Sequence, residues 1–222
     1  MMSAHRFLVP LTAIFVGAVL LENSLNGRMV ALAGLNLPAA MIVFPLSYLA
    51  NDVITEVYGF TISRRVIWSG LVVLAIVVSA HAFYVVLSAV LSEGKSGLVL
   101  DSDPLPQVAG AASFSYLLGE FAGSYIIARL KVLMSGKLMF VRFLASVIAG
   151  QFLSTALFIA FMFAGTFAAV QLIESIALIW IIRTAWASLG LPFALYVARW
   201  LKQSENEDYY DRETDFNPIR VS

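Results

Sequence analysis

FPLSYLANDVITEVYG, residues 44–59, sets Asp52 and Glu56 four positions apart at the end of one of the most apolar runs in the chain. On a helix that spacing puts Phe44, Tyr48, Asp52 and Glu56 on one face, aromatic rings and carboxylates together. What such a face does depends on the solvent around it, and composition decides the solvent.

The chain has 222 residues, 60% hydrophobic and 13% charged, with a mean hydropathy of +0.87. A water-soluble domain is about half apolar and roughly a quarter charged. This excess cannot be hidden in one core, and the bilayer is its natural solvent. The formal net charge is zero, and no basic stretch with interleaved aromatics points to nucleic acid. Cysteine is absent, which excludes disulfides and thiolate metal sites. No HExxH, GxSxG or paired-nucleophile pattern supports an enzyme, the chain carries no P-loop, and nothing calls for a cofactor or a metal.

Charges and turn residues cut the chain into six apolar segments, 7–22, 30–59, 66–91, 108–128, 142–167 and 173–200. A helix needs roughly 20 residues to cross the hydrocarbon core, and an open strand would leave backbone groups unsatisfied in lipid. All six segments are therefore predicted helices. The first follows His5 and Arg6 as a secretory signal would, but Glu22-Asn23 comes after it with no A-x-A-like cleavage site, so it reads as a retained helix. The fold class is all-α: a polytopic membrane protein with six transmembrane helices in one domain over residues 1–203. Residues 204–222 form a polar, acidic tail with the composition of a solvated extension.

Orientation follows from the basic residues. With a cytoplasmic N-terminus, that side receives Arg6, Arg64, Arg65, Arg129, Lys131, Lys137, Arg142, Arg199 and Lys202, and the other side only Arg28 and Lys95. Both termini are predicted cytoplasmic, with residues 92–107 as the longest external loop.

Ionisable groups inside spans are costly and by default mark functional sites. If the boundary lies near Arg64, Asp52 is roughly 18 Å deep and Glu56 roughly 12 Å. Either they face a flat, hydrogen-bond-donating ligand, or they pair with Arg64 or Arg65. Glu120 lies in the middle of the fourth segment, beside a Ser115/Gly119/Gly123 stripe whose small residues suit close helix packing or a dimer face. Arg183 interrupts the sixth segment and needs an anionic partner, for which Glu120 is the candidate, whether as a structural pair or at a ligand. Gln151, Ser154 and Thr155 add neutral polar groups in the fifth, and His81 is a lone titratable group in the third. If these segments surround one cavity, it presents carboxylates, an amide, hydroxyls and aromatics at mid-depth, the pattern of a polar substrate site in a small transporter.

FPLSYLANDVITEVYG followed by SRRVIW closely resembles the signature of the bacterial queuosine-precursor transporters, an uptake family formerly grouped with vitamin transporters. SFSYLLGEFAGSYIIARLKVLMSGK (113–137), the pattern of VRFLASVIAGQF and the tail's YDRETDFNPI extend the resemblance over nearly all of the chain after residue 40. The resemblance implies six helices and import of 7-cyano-7-deazaguanine and its aminomethyl analogue across the inner membrane. A carboxylate such as Asp52, Glu56 or Glu120 would accept the N–H and NH₂ of a guanine-like edge as a bidentate pair, and Phe44, Tyr48 and Tyr116 would stack on the flat bicycle. The chain departs from the family in two places. Ser154 stands where an Asp is usual after Gly150-Gln151, and Arg183 where a Lys is usual. A sister purine or deazapurine is therefore a further candidate substrate.

A competing function is a substrate-binding membrane subunit of a larger ATP-driven importer, which the chain's size also suits. A 24.2 kDa chain has little room both to enclose a cavity and to rock around it, which favours a homodimer.

Overall fold

The structure is a computed structural model that describes residues 5–25, 28–32, 35–91, 106–163, 165–166 and 168–220. Among them are seven helices: α1 (Leu8–Leu25), α2 (Ala40–Tyr58), α3 (Phe60–Leu91), α4 (Pro106–Leu133), α5 (Met139–Phe163), α6 (Ala169–Leu189) and α7 (Leu191–Glu205). Five of these, α1, α2, α3, α5 and α6, are long and apolar enough to cross a membrane. With 28 residues α4 is also long enough, but its serines, glycines and Glu120 dilute its hydropathy. The chain is a multi-pass membrane protein.

Two predicted segments break up. The described residues of 30–39 are not helical: Met29–Leu32 (β1) pairs antiparallel with Leu35–Pro38 (β2), Met29 opposite Pro38. Pro38 disfavours helical geometry at Leu37, and the helix begins only after it. The sixth segment splits at Gly190. Pro192 stands at the start of α7, where it lacks the N–H a continuous helix would need. A Cβ at Gly190 would lie 2.4 Å from Leu49 Cδ1, so the break also lets α2 come close. Leu191, Ala194, Leu195, Ala198 and Leu201 then form the buried stripe of α7.

The second helix is the axis of the molecule. From Ser47 to Tyr58 every residue is buried, the polar ones included. Gly59, at φ 84°, ends α2 in a conformation that side chains resist, and α3 starts at the next residue. The Phe7 N–H donates to Glu205 Oε1 (2.8 Å) and the Tyr58 hydroxyl to Glu205 Oε2 (2.7 Å). The start of α1 and the ends of α2 and α7 thus meet at one end of the bundle.

Part of the tail packs back on the bundle. Both Asp211 carboxylate oxygens accept from the Phe60 N–H (3.1 and 3.0 Å), capping α3 from outside. Arg64 Nη1 donates to the Asp215 and Asn217 carbonyls (3.1 and 2.7 Å), and Trp68 Nε1 to the Pro218 carbonyl (2.8 Å). Phe216 packs on Phe60 and Tyr125 with the Arg129 guanidinium over its ring. The tail stays because the helix ends offer it unpaired donors and apolar faces. The predicted loop at 92–107 lies outside the described residues up to 105, and residues 106 and 107 open α4.

Candidate functional site

Two polar clusters lie one turn apart on α2, and they differ in chemistry. Around Glu56 every charge is matched. Arg142 Nη2 and Lys202 Nζ each approach Glu56 Oε1 to 2.6 Å, and Arg142 Nε donates to Oε2. Lys131 donates to the Glu56 backbone carbonyl and pairs with Asp208 of the tail at 2.6 Å, as Lys202 does at 2.8 Å. Burial alone would push the Asp208 carboxyl up, but hydrogen bonds from these two lysines outweigh it and hold the group below its usual range. The predicted partners of Glu56 are therefore replaced: Arg64 serves the tail, and Arg142, Lys202 and Lys131 close in from three other helices.

Around Asp52 and Glu120 no cation lies within ion-pair distance among the described residues. Ser146 Oγ donates to Asp52 Oδ1 at 2.7 Å, and Asp52 Oδ2 is buried with no partner among the described residues. Asn51 Nδ2 donates to Glu120 Oε2 (2.7 Å) and to Ser124 Oγ (2.9 Å), while Glu120 Oε1 is likewise buried without a partner. Asn51 Oδ1 accepts from Ser63 Oγ at 2.8 Å, so that amide has both hydrogens used and its orientation fixed. Buried polar atoms are nearly always satisfied, and an orphan calls for an explanation. Two orphaned carboxylate oxygens on facing helices can accept hydrogen bonds from one incoming donor edge.

Close helix approach makes this arrangement possible. A Cβ on Gly119 would meet Tyr48 Oη at 2.5 Å, Ser154 Cβ at 2.8 Å and the Gly150 carbonyl at 3.0 Å. A Cβ on Gly123 would meet Ser146 Oγ at 2.7 Å. The Ser115/Gly119/Gly123 stripe is thus a seam inside the chain, filled by α2 and α5, and is not available as a dimer face. Glycine suits it because only the missing side chain lets the backbones come this near.

Arg183 does not reach Glu120. Its Nη2 lies 3.6 Å from Glu22 Oε1, its Nε donates to Gln151 Oε1 at 2.8 Å, and its guanidinium sits 4.4 Å from the Phe44 ring centre. The predicted pair is corrected because α1, read only as a retained helix, supplies an acid, Glu22, near its C-terminal end. Gln151 Nε2 is buried with no partner among the described residues. Tyr116 is buried near Phe15 with its hydroxyl against Gly70, and Thr155 is buried beside the same cluster on α5. His81 is half-buried on α3 near Tyr84. The structure therefore brings Tyr48, Asp52, Glu120, Ser154 and Gln151 together, and Phe44 and Arg183 behind them. Glu56 joins the ion cluster instead.

Sequence reasoning missed Asn51, Ser146, Arg142 and Glu22. Asn51 was legible as an amide directly before Asp52. Arg142 was counted only as a topological charge, and Glu22 only as the end of a segment.

Residues 38–197 match the family described as "Putative vitamin uptake transporter". No curated protein and no solved structure is similar enough to the chain to match it. The matched stretch runs from the end of β2 into α7, and so contains nearly every residue of the site just described. The chain belongs to this family of uptake transporters.

Proposed function

We propose that the chain is a six-pass importer of queuosine precursors, 7-cyano-7-deazaguanine or its aminomethyl analogue, in the inner membrane with both termini cytoplasmic. One observation carries the reading. Of the four acids on or beside the bundle axis, Glu22 and Glu56 face cations, whereas Asp52 and Glu120 each keep a buried oxygen with no partner among the described residues. A ligand edge carrying N–H and NH₂ groups satisfies both, and Tyr48 and Tyr116 offer ring faces for a flat bicycle. Glu56 serves in this reading as the anchor of the ion cluster below the base. The reading assigns the protein no catalysis and no cofactor, and it places any homodimer contact away from the glycine seam.

Uptake tests it. In cells unable to make or import the precursor, expression of this chain should restore queuosine in tRNA when the cyano or aminomethyl base is fed. Liposomes holding only this protein should accumulate the same base. No rescue by any deazaguanine would overturn the substrate. Rescue in cells without uptake in liposomes would identify a subunit of a larger, ATP-driven importer.

A further inference from the structure

We infer that Arg183 is a positioning residue: it fixes the Gln151 amide so that Nε2 donates to the ligand, making Gln151 the group that selects an oxo over an amino substituent. The argument begins with what arginine cannot do. A guanidinium has five donors and no acceptor, so the atom of Gln151 that faces Arg183 Nε at 2.8 Å must be the oxygen. Rotating the amide by half a turn would set donor against donor. The orientation of Gln151 is therefore dictated by its neighbour and leaves Nε2 with two hydrogens to give.

Arg183 is itself held. Glu22 lies 3.6 Å from Nη2, and the Phe44 ring lies 4.4 Å beneath the guanidinium carbon. The backbone of Gln151 is held too, because a Cβ on the preceding Gly150 would lie 3.0 Å from the Gly119 carbonyl and 3.3 Å from Tyr48 Cε1. Gln151 is fully buried, and its Nε2 has no partner among the described residues. A rigid, buried donor with nothing to donate to is a binding element awaiting an acceptor.

Three of the buried unpartnered atoms have a fixed sign, whereas the hydroxyls of Tyr48, Tyr116 and Thr155, also without a partner among the described residues, can donate or accept. Asp52 Oδ2 and Glu120 Oε1 accept, and Gln151 Nε2 donates. Tyr48 joins them, since its hydroxyl lies against Gly119 and its ring edge against Gly150, the residues that precede Glu120 and Gln151. Two acceptors and one donor complement a heterocycle edge with N–H and NH₂ groups beside a carbonyl oxygen. A diamino analogue, whose amino group replaces that carbonyl, would confront Nε2 with a second donor. This inference rests on the proposed function for the kind of base, but not for the orientation of Gln151.

The test uses purified full-length protein and two bases, 7-deazaguanine and 2,6-diamino-7-deazapurine. Wild type should bind the oxo base about ten- to a hundredfold more tightly, the usual penalty for an unpaired buried donor. Arg183→Met, which frees the amide to rotate, should bring the ratio close to one. Arg183→Lys, which keeps a donor, should restore most of it, and Gln151→Glu, which presents an oxygen instead, should favour the diamino base. An unchanged ratio in a folded Arg183→Met protein overturns the inference. A ligand-free arm separates this from the substrate reading. With glutamine-selective ¹⁵N labelling, the side-chain NH₂ signals lost in Gln151→Glu identify Gln151, and in Arg183→Met those signals should shift and broaden. If wild type binds neither base, the substrate reading fails and these signals decide the role of Arg183. Unaltered signals would overturn it.

Discussion

Asn51 Nδ2 lies 2.7 Å from Glu120 Oε2, and this bond joins α2 to α4 at the centre of the molecule. Because Asn51 also gives to Ser124 and receives from Ser63, both its amide hydrogens are used and its orientation is fixed. Its role is to hold one oxygen of Glu120 so that the other stays fixed in place. Asp52, the next residue, is held the same way by Ser146 from α5. The acids of the site are thus oriented by neutral groups, not neutralised by cations.

That distinction predicts the behaviour of Asp52→Asn. The substitution keeps the shape but places a donor against the donors of a guanine-like edge. Deazaguanine affinity should fall about ten- to a hundredfold, corresponding to a charge-assisted hydrogen bond of about 1.5–3 kcal/mol. Expression and monodispersity should be unchanged, because no ion pair is broken. Titration of the purified variant checks both. Binding as tight as wild type would remove Asp52 from the site and leave Glu120 as the acid to test next, through Glu120→Gln.

Glu56→Gln should behave in the opposite way. It removes the carboxylate that Arg142 and Lys202 share at 2.6 Å, in a place sealed from solvent. Stripping one partner from a buried ion cluster costs about 3–5 kcal/mol. The expected result is a large fall in folded yield and melting temperature in detergent, with the surviving protein still binding the base. A stable Glu56→Gln protein with lost binding would transfer Glu56 back to the ligand.

The Asp208 contact gives a pH dependence. Its carboxyl is held below the usual range in the folded chain, so the unfolded state takes up the proton first as pH falls. Its contribution to stability is complete above the ordinary carboxylate value of about 3.9 and is lost as pH drops through the depressed folded value. Melting temperatures of wild type and Asp208→Asn should therefore differ at neutral pH and converge in acid. Curves that stay parallel down to that range would show that the lysines do not depend on Asp208.

Removing the cap tests the docked tail. Asp211→Ala leaves the Phe60 N–H without its acceptor, which costs about 1 kcal/mol. Protease should then cut between residues 206 and 218 faster than in wild type, where Arg64 and Trp68 hold the same stretch. Equal cleavage rates would mean that the tail docks without Asp211.

Gly119→Leu distinguishes an internal seam from a subunit contact. The new side chain would overlap Tyr48, Ser154 and the Gly150 backbone at once, so there is no flexible neighbour to give way. Overpacking of this kind costs about 1–3 kcal/mol or more. The variant should lose folded protein and not merely change oligomeric state. A well-folded monomer produced from a wild-type dimer would return the stripe to the subunit interface.

Residues 44–59 alone carried the helical face of α2, because a period of four is a local property of the backbone and survives any tertiary arrangement. The excess of apolar residues likewise determined a membrane bundle, and the lone acids at Asp52 and Glu120 were visible as anomalies because charge is rare in lipid. Partner choice was not visible. Arg183 meets Glu22 and Gln151, Glu56 meets Arg142 and Lys202, and Asp211 caps α3, all across sequence separations that no local pattern encodes. The side a glycine stripe faces is equally silent, since small residues permit close approach to whichever helix arrives. Sequence named the groups that lipid would not tolerate. Only packing decided which were matched to an opposite charge and which were met by neutral groups alone, because that depends on what the other helices bring within about 3 Å.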